Sequence, residues 1–201
     1  MSAAIDQEKR DLRARMRAAR QNRRRADGAA AADALCAHAL AGLVGLLARP
    51  GRAVAGYWPL GEEMDTRPLL RALHAAGHVC LLPVVTAAGA PLDFRLWWPG
   101  QDLEPGALGT LQPPADAGTL RPDLVLAPLV AFDDRGYRLG MGGGFYDRTL
   151  AGLRAQGGPT DGLVVVGVAF ESQRVDRVPT DPHDQPLDWI LTEAGLRRVA
   201  A

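Results

Sequence analysis

Lysine is nearly absent from this chain: of 23 basic residues only Lys9 is a lysine and the rest are arginine, in a background of 34 alanines and two isoleucines. That bias is expected of a GC-rich genome, and it raises the question of what Lys9 does that arginine would not. Cysteine is scarce too. Cys36 and Cys80 belong to no closely spaced, even-numbered framework, and with no secretory leader before them they read as reduced thiols of a cytoplasmic protein. No apolar run approaches the ~20 residues that span a bilayer, so no membrane partner is expected. Asp6, Glu8 and Asp11 within the basic N-terminal stretch speak against an acid-poor transit peptide. A nucleophile elbow of the GxSxG kind is missing, and so is HExxH, since His74 and His78 straddle Gly77 without a glutamate. Cys36 and His38, in an alanine-rich stretch, read as packing residues.

What remains is 201 residues, 47% apolar and 23% charged, which bounds the chain to one domain or at most two small ones, and a single domain over residues 1–201 is expected. A chain of that length buries roughly two thirds of its unfolded surface and needs no disulfide or structural metal to fold. The net charge of zero hides a polarity. Residues 1–25 hold nine basic groups and three acids, so that segment is +6 and the remainder −6.

Residues 6–25 contain no Gly or Pro and many good helix formers, which predicts a helix. Leu12, Met16 and Ala19 form a narrow apolar seam on it, and Lys9, Arg13 and Arg17 recur every four residues on an adjacent face. That face is either solvated or turned to an anion, and basic runs also mark nucleic-acid patches. After Gly28 a second helix is predicted to run to about Ala48, before Pro50-Gly51. Strands are predicted over 53–58, 78–85 and 92–98, and a helix over 66–76. The Gly/Pro-rich stretch 99–122 reads as an ordered loop or edge. DLVLAP (123–128) and LVVVGVAF (163–170) are near-continuous apolar runs, the mark of strands buried on both faces. A helix over 145–155 and a strand over 189–192 complete an α/β alternation, which predicts a sheet covered on both faces.

The densest chemical signal is FDDRGYRLGMGGGFYDR, with Gly140, Gly142, Gly143 and Gly144 between a buried strand and a helix start. Such glycines let backbone amides approach an anion. Arg138, Asp147 and Arg148 flank them, a mixture that fits phosphate with a metal ion. A dinucleotide fingerprint is a poor match because about a dozen residues separate strand and glycines, and Phe145-Tyr146 stand where a P-loop needs lysine and a hydroxyl. A plain glycine turn explains one or two glycines, not four beside these charges. YWPLGEEMDT (57–66), placed at a strand's carboxyl end, offers Trp58, Glu62, Glu63 and Asp65 to a planar, amine-bearing heterocycle, although Asp65 or Thr66 also suits a helix cap. VPTDPHDQPLDWILTE (178–193) adds Asp181, His183, Asp184 and Asp188, a weak signal alone.

Together these segments resemble the 5-formyltetrahydrofolate cyclo-ligases. The glycine-rich block is joined, in the family's order, by KRDLR (9–13), GYWPLGEEMDT (56–66), LPVV (82–85), GVAFESQ (167–173) and VPTDPHDQPLD (178–188). The resemblance implies a three-layer αβα sandwich with a mainly parallel sheet, similar to the ribose-5-phosphate isomerase and CoA-transferase-like fold, preceded by N-terminal helices. It implies ATP- and magnesium-dependent cyclisation of 5-formyltetrahydrofolate to 5,10-methenyltetrahydrofolate, with ADP and phosphate released through a phosphorylated formyl group. Lys9, Arg138 and Arg148 would be catalytic. ATP would lie against Lys9, Arg10, Asp11, Leu12 and Arg13 and against Arg138, Leu139, Gly140, Met141, Gly142, Gly143, Gly144, Phe145 and Tyr146. Trp58 and Glu63 would meet the pterin, with Phe145 and Tyr146 as part of the wall, and Asp147 and Asp184 would hold Mg²⁺. Met141 stands where the family commonly has an aromatic or basic residue, Gly143 where some members have lysine, and Phe145 where a tyrosine is usual. Small-molecule partners and a monomer or weak homodimer are expected. The alternatives are a paralogue acting on another pterin or a thiamine-related compound, and nucleic-acid binding through the basic first helix.

Overall fold

The computed structural model describes residues 3–43, 45–47, 49–157 and 162–200. Helix α1 (Ala3–Gly42) kinks at Asp27, whose φ of −158° and ψ of 33° leave the helical region next to Gly28, where the sequence predicts a break. The predicted end near Ala48 lies outside the described residues; α1 itself stops at Gly42. There follow β1 (Ala53–Ala55), α2 (Arg67–Ala75), β2 (Val79–Val85), β3 (Leu92–Trp97), β4 (Glu104–Pro105), β5 (Leu111–Gln112), β6 (Leu124–Pro128), β7 (Ala131–Phe132), β8 (Arg138–Leu139), α3 (Phe145–Ala155), β9 (Val164–Val168), β10 (Trp189–Thr192) and β11 (Gly195–Arg198). The Gly/Pro-rich stretch thus folds its centre into the β4–β5 hairpin. Thr66 stands at the start of α2 but spends its hydroxyl on Tyr57 O at 2.7 Å; the capping contact comes from Asp65, whose Oδ1 accepts the Arg67 N–H at 3.0 Å.

Seven strands form one sheet in the order β11-β10-β9-β6-β1-β2-β3. The five inner strands are parallel and each edge strand is antiparallel to its neighbour. Alternation along the inner strands sends their side chains to two cores. Val54, Leu126 and Val166 pack with Leu35 and Ala39 of α1 and with Leu69, Leu70 and Leu73 of α2. Ala55, Val125 and Val165 pack on the opposite face with Leu150 and Leu153 of α3. The predicted three layers and mainly parallel sheet are therefore present. Each fully buried Leu or Val contributes roughly 1.5–3 kcal/mol, so these two cores dominate the stability. The first half of α1 rests on a smaller third cluster, Leu12 and Met16 against Val130, Ala131, Leu139 and Val178.

The chain runs outward from β1 to β2 and β3 on one side, and from β6 to β9 and β10 on the other. The reversal between β1 and β6 is a topological switch point, where open α/β sheets leave a crevice beyond the carboxyl ends of their strands. Cys36 and Cys80 are free thiols, and burial pushes the Cys80 thiol up to about 12. Cys36 packs against the α1–α2 core as predicted, whereas His38 is exposed and does not.

Candidate functional site

A cavity of about 870 Å³ opens beyond the carboxyl ends of β1, β2 and β6, lined by Tyr57, Trp58, Pro83, Val85, Pro128 and Leu129. Its other walls are the glycine loop, the start of α3, the first half of α1 and the segment holding Asp181 and Asp184. The segments picked from sequence as three separate clusters therefore share one space.

Buried Asp133 shapes the turn that delivers the glycine loop. Its Oδ1 accepts the Arg135 and Tyr137 N–H groups at 3.1 Å each, and its Oδ2 accepts Val178 N–H at 2.9 Å. This ties the β7–β8 hairpin to the segment carrying Asp181 and Asp184. Arg138 then emerges at β8, 6% exposed, donating to Gln185 O at 2.6 Å and to Asp147 Oδ1 at 2.7 Å. Burial lowers its pKa and the Asp147 charge opposes that shift, so the guanidinium is held by a partner.

In the loop itself, Gly142 (φ +108°) and Gly144 (φ +65°) occupy backbone conformations that L side chains rarely adopt. Arg13 Nε donates to Gly140 O at 2.8 Å and Arg148 donates to Gly143 O at 2.7 Å. Because N–H and C=O of a trans peptide point oppositely, these bonds turn the Met141 and Gly144 N–H groups away from the two guanidiniums. Gly144 also begins α3, so its positive end adds to the anion-binding character. Met141 is half exposed, with Arg17 near its sulfur.

Lys9 is 7% exposed and donates to Asp181 Oδ2 at 2.8 Å and Asp184 Oδ2 at 2.7 Å. Burial acts to lower its pKa, but the two carboxylates outweigh it and raise it. The basic stripe of the first helix thus turns Lys9 and Arg13 to the cavity rather than to solvent, while Arg17 stays exposed. Across the cavity, burial raises the pKa of Glu63, whose Oε2 accepts Leu60 N–H at 2.9 Å. Trp58 stands edge-on to Trp97 at 6.1 Å, with Arg67 over its ring at 5.5 Å.

Nearly every residue expected at the site lines this cavity, including Arg10, Leu139, Phe145, Tyr146 and Arg148. Five do not. Asp11 sits on the outer face of α1, accepting from Gln7 at 2.8 Å, and Leu12 is buried in the small core, since successive helical residues point about 100° apart. Glu62 accepts from Gln21, Asp65 caps α2 through Arg67, and Asp188 accepts the Val165 N–H at the sheet. Conversely, Tyr57, Leu92, Leu108 and Leu111 line it without having been singled out. Only Tyr57 had a cue, its place in the YWPLGEEMDT block.

Among the described residues, five acids (Asp6, Glu63, Asp147, Asp181, Asp184) and five bases (Lys9, Arg10, Arg13, Arg138, Arg148) line the cavity. A triphosphate would therefore enter a balanced field, and a divalent cation accompanying it would offset its charge. Among the described residues no three His, Cys, Asp or Glu side chains converge into a metal cage. Mg²⁺ commonly takes only one or two carboxylates plus phosphate and water. Asp147 and Asp184 fit that role, because the bonds they accept fall on Oδ1 of the first and Oδ2 of the second.

A profile of the 5-formyltetrahydrofolate cyclo-ligase family matches residues 5–193. A 5-formyltetrahydrofolate cyclo-ligase of Escherichia coli K12 is 36% identical over 148 residues, 71% of this chain and 79% of the relative. One from Mycolicibacterium smegmatis is 36% identical over 167 residues, 78% and 81% of the two chains. The solution structure of Aquifex aeolicus 5,10-methenyltetrahydrofolate synthetase is similar with a TM-score of 0.71 at 30% identity, covering 96% of this chain and 93% of that one.

Proposed function

From the premise that the chain belongs to the 5-formyltetrahydrofolate cyclo-ligase family, we propose that residues 1–201 act as one catalytic unit that closes 5-formyltetrahydrofolate to 5,10-methenyltetrahydrofolate at the expense of ATP. The observation that carries this is the single cavity in which a glycine loop with Arg138 and Lys9 stands opposite Trp58 and Glu63. Phosphoryl acceptor and donor can then meet in one space. Among the described residues no helix is long and apolar enough to cross a membrane, and the two free thiols suit the reducing cytoplasm.

The formyl oxygen attacks the γ-phosphorus while the bond to the leaving ADP breaks, and the N5 lone pair moves into a C=N bond. N10 then attacks that carbon, and phosphate departs with the N10 proton. No protein nucleophile is needed, in keeping with the missing nucleophile elbow. Phosphoryl transfer asks the protein for position and charge. Arg138, fixed by Gln185 and Asp147, and protonated Lys9 supply cations to the transferring group. The loop amides and Arg13 cradle the remaining phosphates, and Arg148, tied to Gly143 O and stacked on Phe145, closes the loop's far side. Mg²⁺ held by Asp147 and Asp184 would supply charge neutralisation at the phosphates. Trp58 gives the pterin a flat apolar wall and Glu63 accepts its N–H donors.

Purified protein with 5-formyltetrahydrofolate, ATP and magnesium generates the near-ultraviolet absorbance of the methenyl product together with ADP. A folded sample that produces neither overturns the reading.

A further inference from the structure

Arg20, on the first half of α1, is 4% exposed, and its Nε and Nη1 are buried without a hydrogen-bond partner. Such donors are normally satisfied, so their placement calls for a reason. Nη1 lies 3.9 Å from Glu63 Oε1, within reach for charge attraction but beyond a hydrogen bond. A guanidinium serving as a structural tie would close to a paired, bidentate geometry. Here the two charges face each other and Oε1 is left unbonded by Arg20, while Oε2 is held by Leu60 N–H.

Glu63 lines the cavity and Arg20 does not, so Arg20 can reach a ligand only through Glu63. We propose that Arg20 is a positioning residue for folate: together with the Leu60 N–H its charge favours the carboxylate form of buried Glu63, and its distance leaves Oε1 for the N–H donors of the substrate's heterocycle. This rests on the cavity being the folate site. Burial raises the Glu63 pKa; the Leu60 N–H acts the other way, and after it the Arg20 charge. Among the described residues the other groups around the carboxylate offer no second cation at this range. Tyr57 donates its hydroxyl to Met64 O, and Glu62 is bonded by Gln21. Asp65 is engaged by Arg67, with Arg24 4.0 Å away. Tyr146, from α3, brings a neutral hydroxyl without a partner, and Arg138 is committed to Asp147 and Gln185. Without Arg20 only the Leu60 N–H would oppose burial, and the carboxyl would bind a proton instead of the substrate at higher pH.

The test is the pH dependence of kcat/KM for 5-formyltetrahydrofolate in Arg20→Met, Arg20→Lys, Glu63→Gln and the Arg20→Met/Glu63→Gln pair. Arg20→Met moves the acidic limb upward by about one pH unit, a tenfold change in protonation equilibrium. It raises KM for the folate near neutral pH while leaving KM for ATP unchanged, and Arg20→Lys restores the limb. Glu63→Gln removes the limb, and adding Arg20→Met to it has little further effect. Calorimetry in buffers of different ionisation heat gives a readout without turnover: Arg20→Met releases more protons on binding the folate than wild type. An unmoved limb with unchanged proton release, a matching rise in KM for ATP, or additive effects in the double variant overturns the proposal. If Arg20→Met does not fold, Arg20→Gln, which removes the charge but keeps polar groups in the space, is read by the same criteria. Failure of wild type to form the methenyl product overturns the functional reading instead, which separates the two failures.

Discussion

Two carboxylate oxygens at 2.8 and 2.7 Å share the Lys9 ammonium, a compact point charge where a planar guanidinium would impose a fork. Lys9→Ala removes that charge from the phosphate end and leaves Asp181 and Asp184 facing each other. We expect kcat to fall about a hundredfold, the scale of losing one preorganised electrostatic group, and the melting temperature to fall with it. The bridge also sets a pH window. Its hydrogen bond to Lys9 holds the Asp181 pKa down, so its contribution is present above the usual aspartate value and lost as pH falls through the lowered one. The Lys9 pKa is raised, so that contribution is present below the usual lysine value and lost as pH rises through the raised one. The stability difference between wild type and Asp181→Asn, from urea unfolding, should be flat from about pH 5 to 9 and shrink below about pH 4. Tyr146 makes a different case. Its buried hydroxyl lacks a partner, so Tyr146→Phe leaves the unliganded melting temperature unchanged or slightly higher, while weakening folate binding seen as a raised KM. The sequence marked Lys9 by rarity and Tyr146 by motif. It carried no sign that a second acid, Asp181, completes the clamp, because that contact spans 172 positions and exists only after α1 docks.

At the scale of elements, α1 is two helices of different standing. Its second half belongs to a large core through Leu35 and Ala39, whereas its first half holds on by Leu12, Met16, the Lys9 bridge and the Arg13 bond to Gly140. Arg13→Ala should therefore raise amide exchange in residues 3–26 and leave β6 and β9 protected, as hydrogen-exchange mass spectrometry can resolve. The glycine loop has the opposite character, since its shape is set by the backbone. Gly144→Ala forces a Cβ into the left-handed region at φ +65° and to 2.6 Å from Arg148 Nη1. It should cost about 1–2 kcal/mol in urea unfolding and raise KM for ATP. Periodicity and breakers revealed both helical halves, α3 and the inner strands, because those depend on local pattern. The hairpin β7–β8 and strand β11 are not legible in the sequence because neither is set by a local pattern. One is organised by Asp133, whose partners include the distant Val178, and the other by edge pairing with β10.

For the molecule as a whole, the site forms where segments far apart in the chain converge on the switch point between β1 and β6. Ligands that bridge these pieces bind only the folded state. ATP with magnesium and a non-reacting folate should together raise the melting temperature more than either alone, each contributing about 2.7 kcal/mol when present at a hundred times its Kd. Equal shifts for one ligand and both, in differential scanning calorimetry, would contradict a shared cavity. The polarity of the chain acquires a location here as well: part of the N-terminal +6 meets acids of the −6 remainder across the cavity, as Lys9 does with Asp181 and Asp184. The amino-acid sequence by itself determined the α/β alternation, the glycine loop and its charges, and the kinship those blocks carry, because each is written in local spacing and residue type. Only the tertiary structure decided that Lys9 and Arg13 of the basic stripe face inward, that Leu12 is core and not site, and that Arg20 faces Glu63 without a hydrogen bond. Those facts depend on which helix face docks and on contacts between residues far apart in the chain, and no local pattern fixes either.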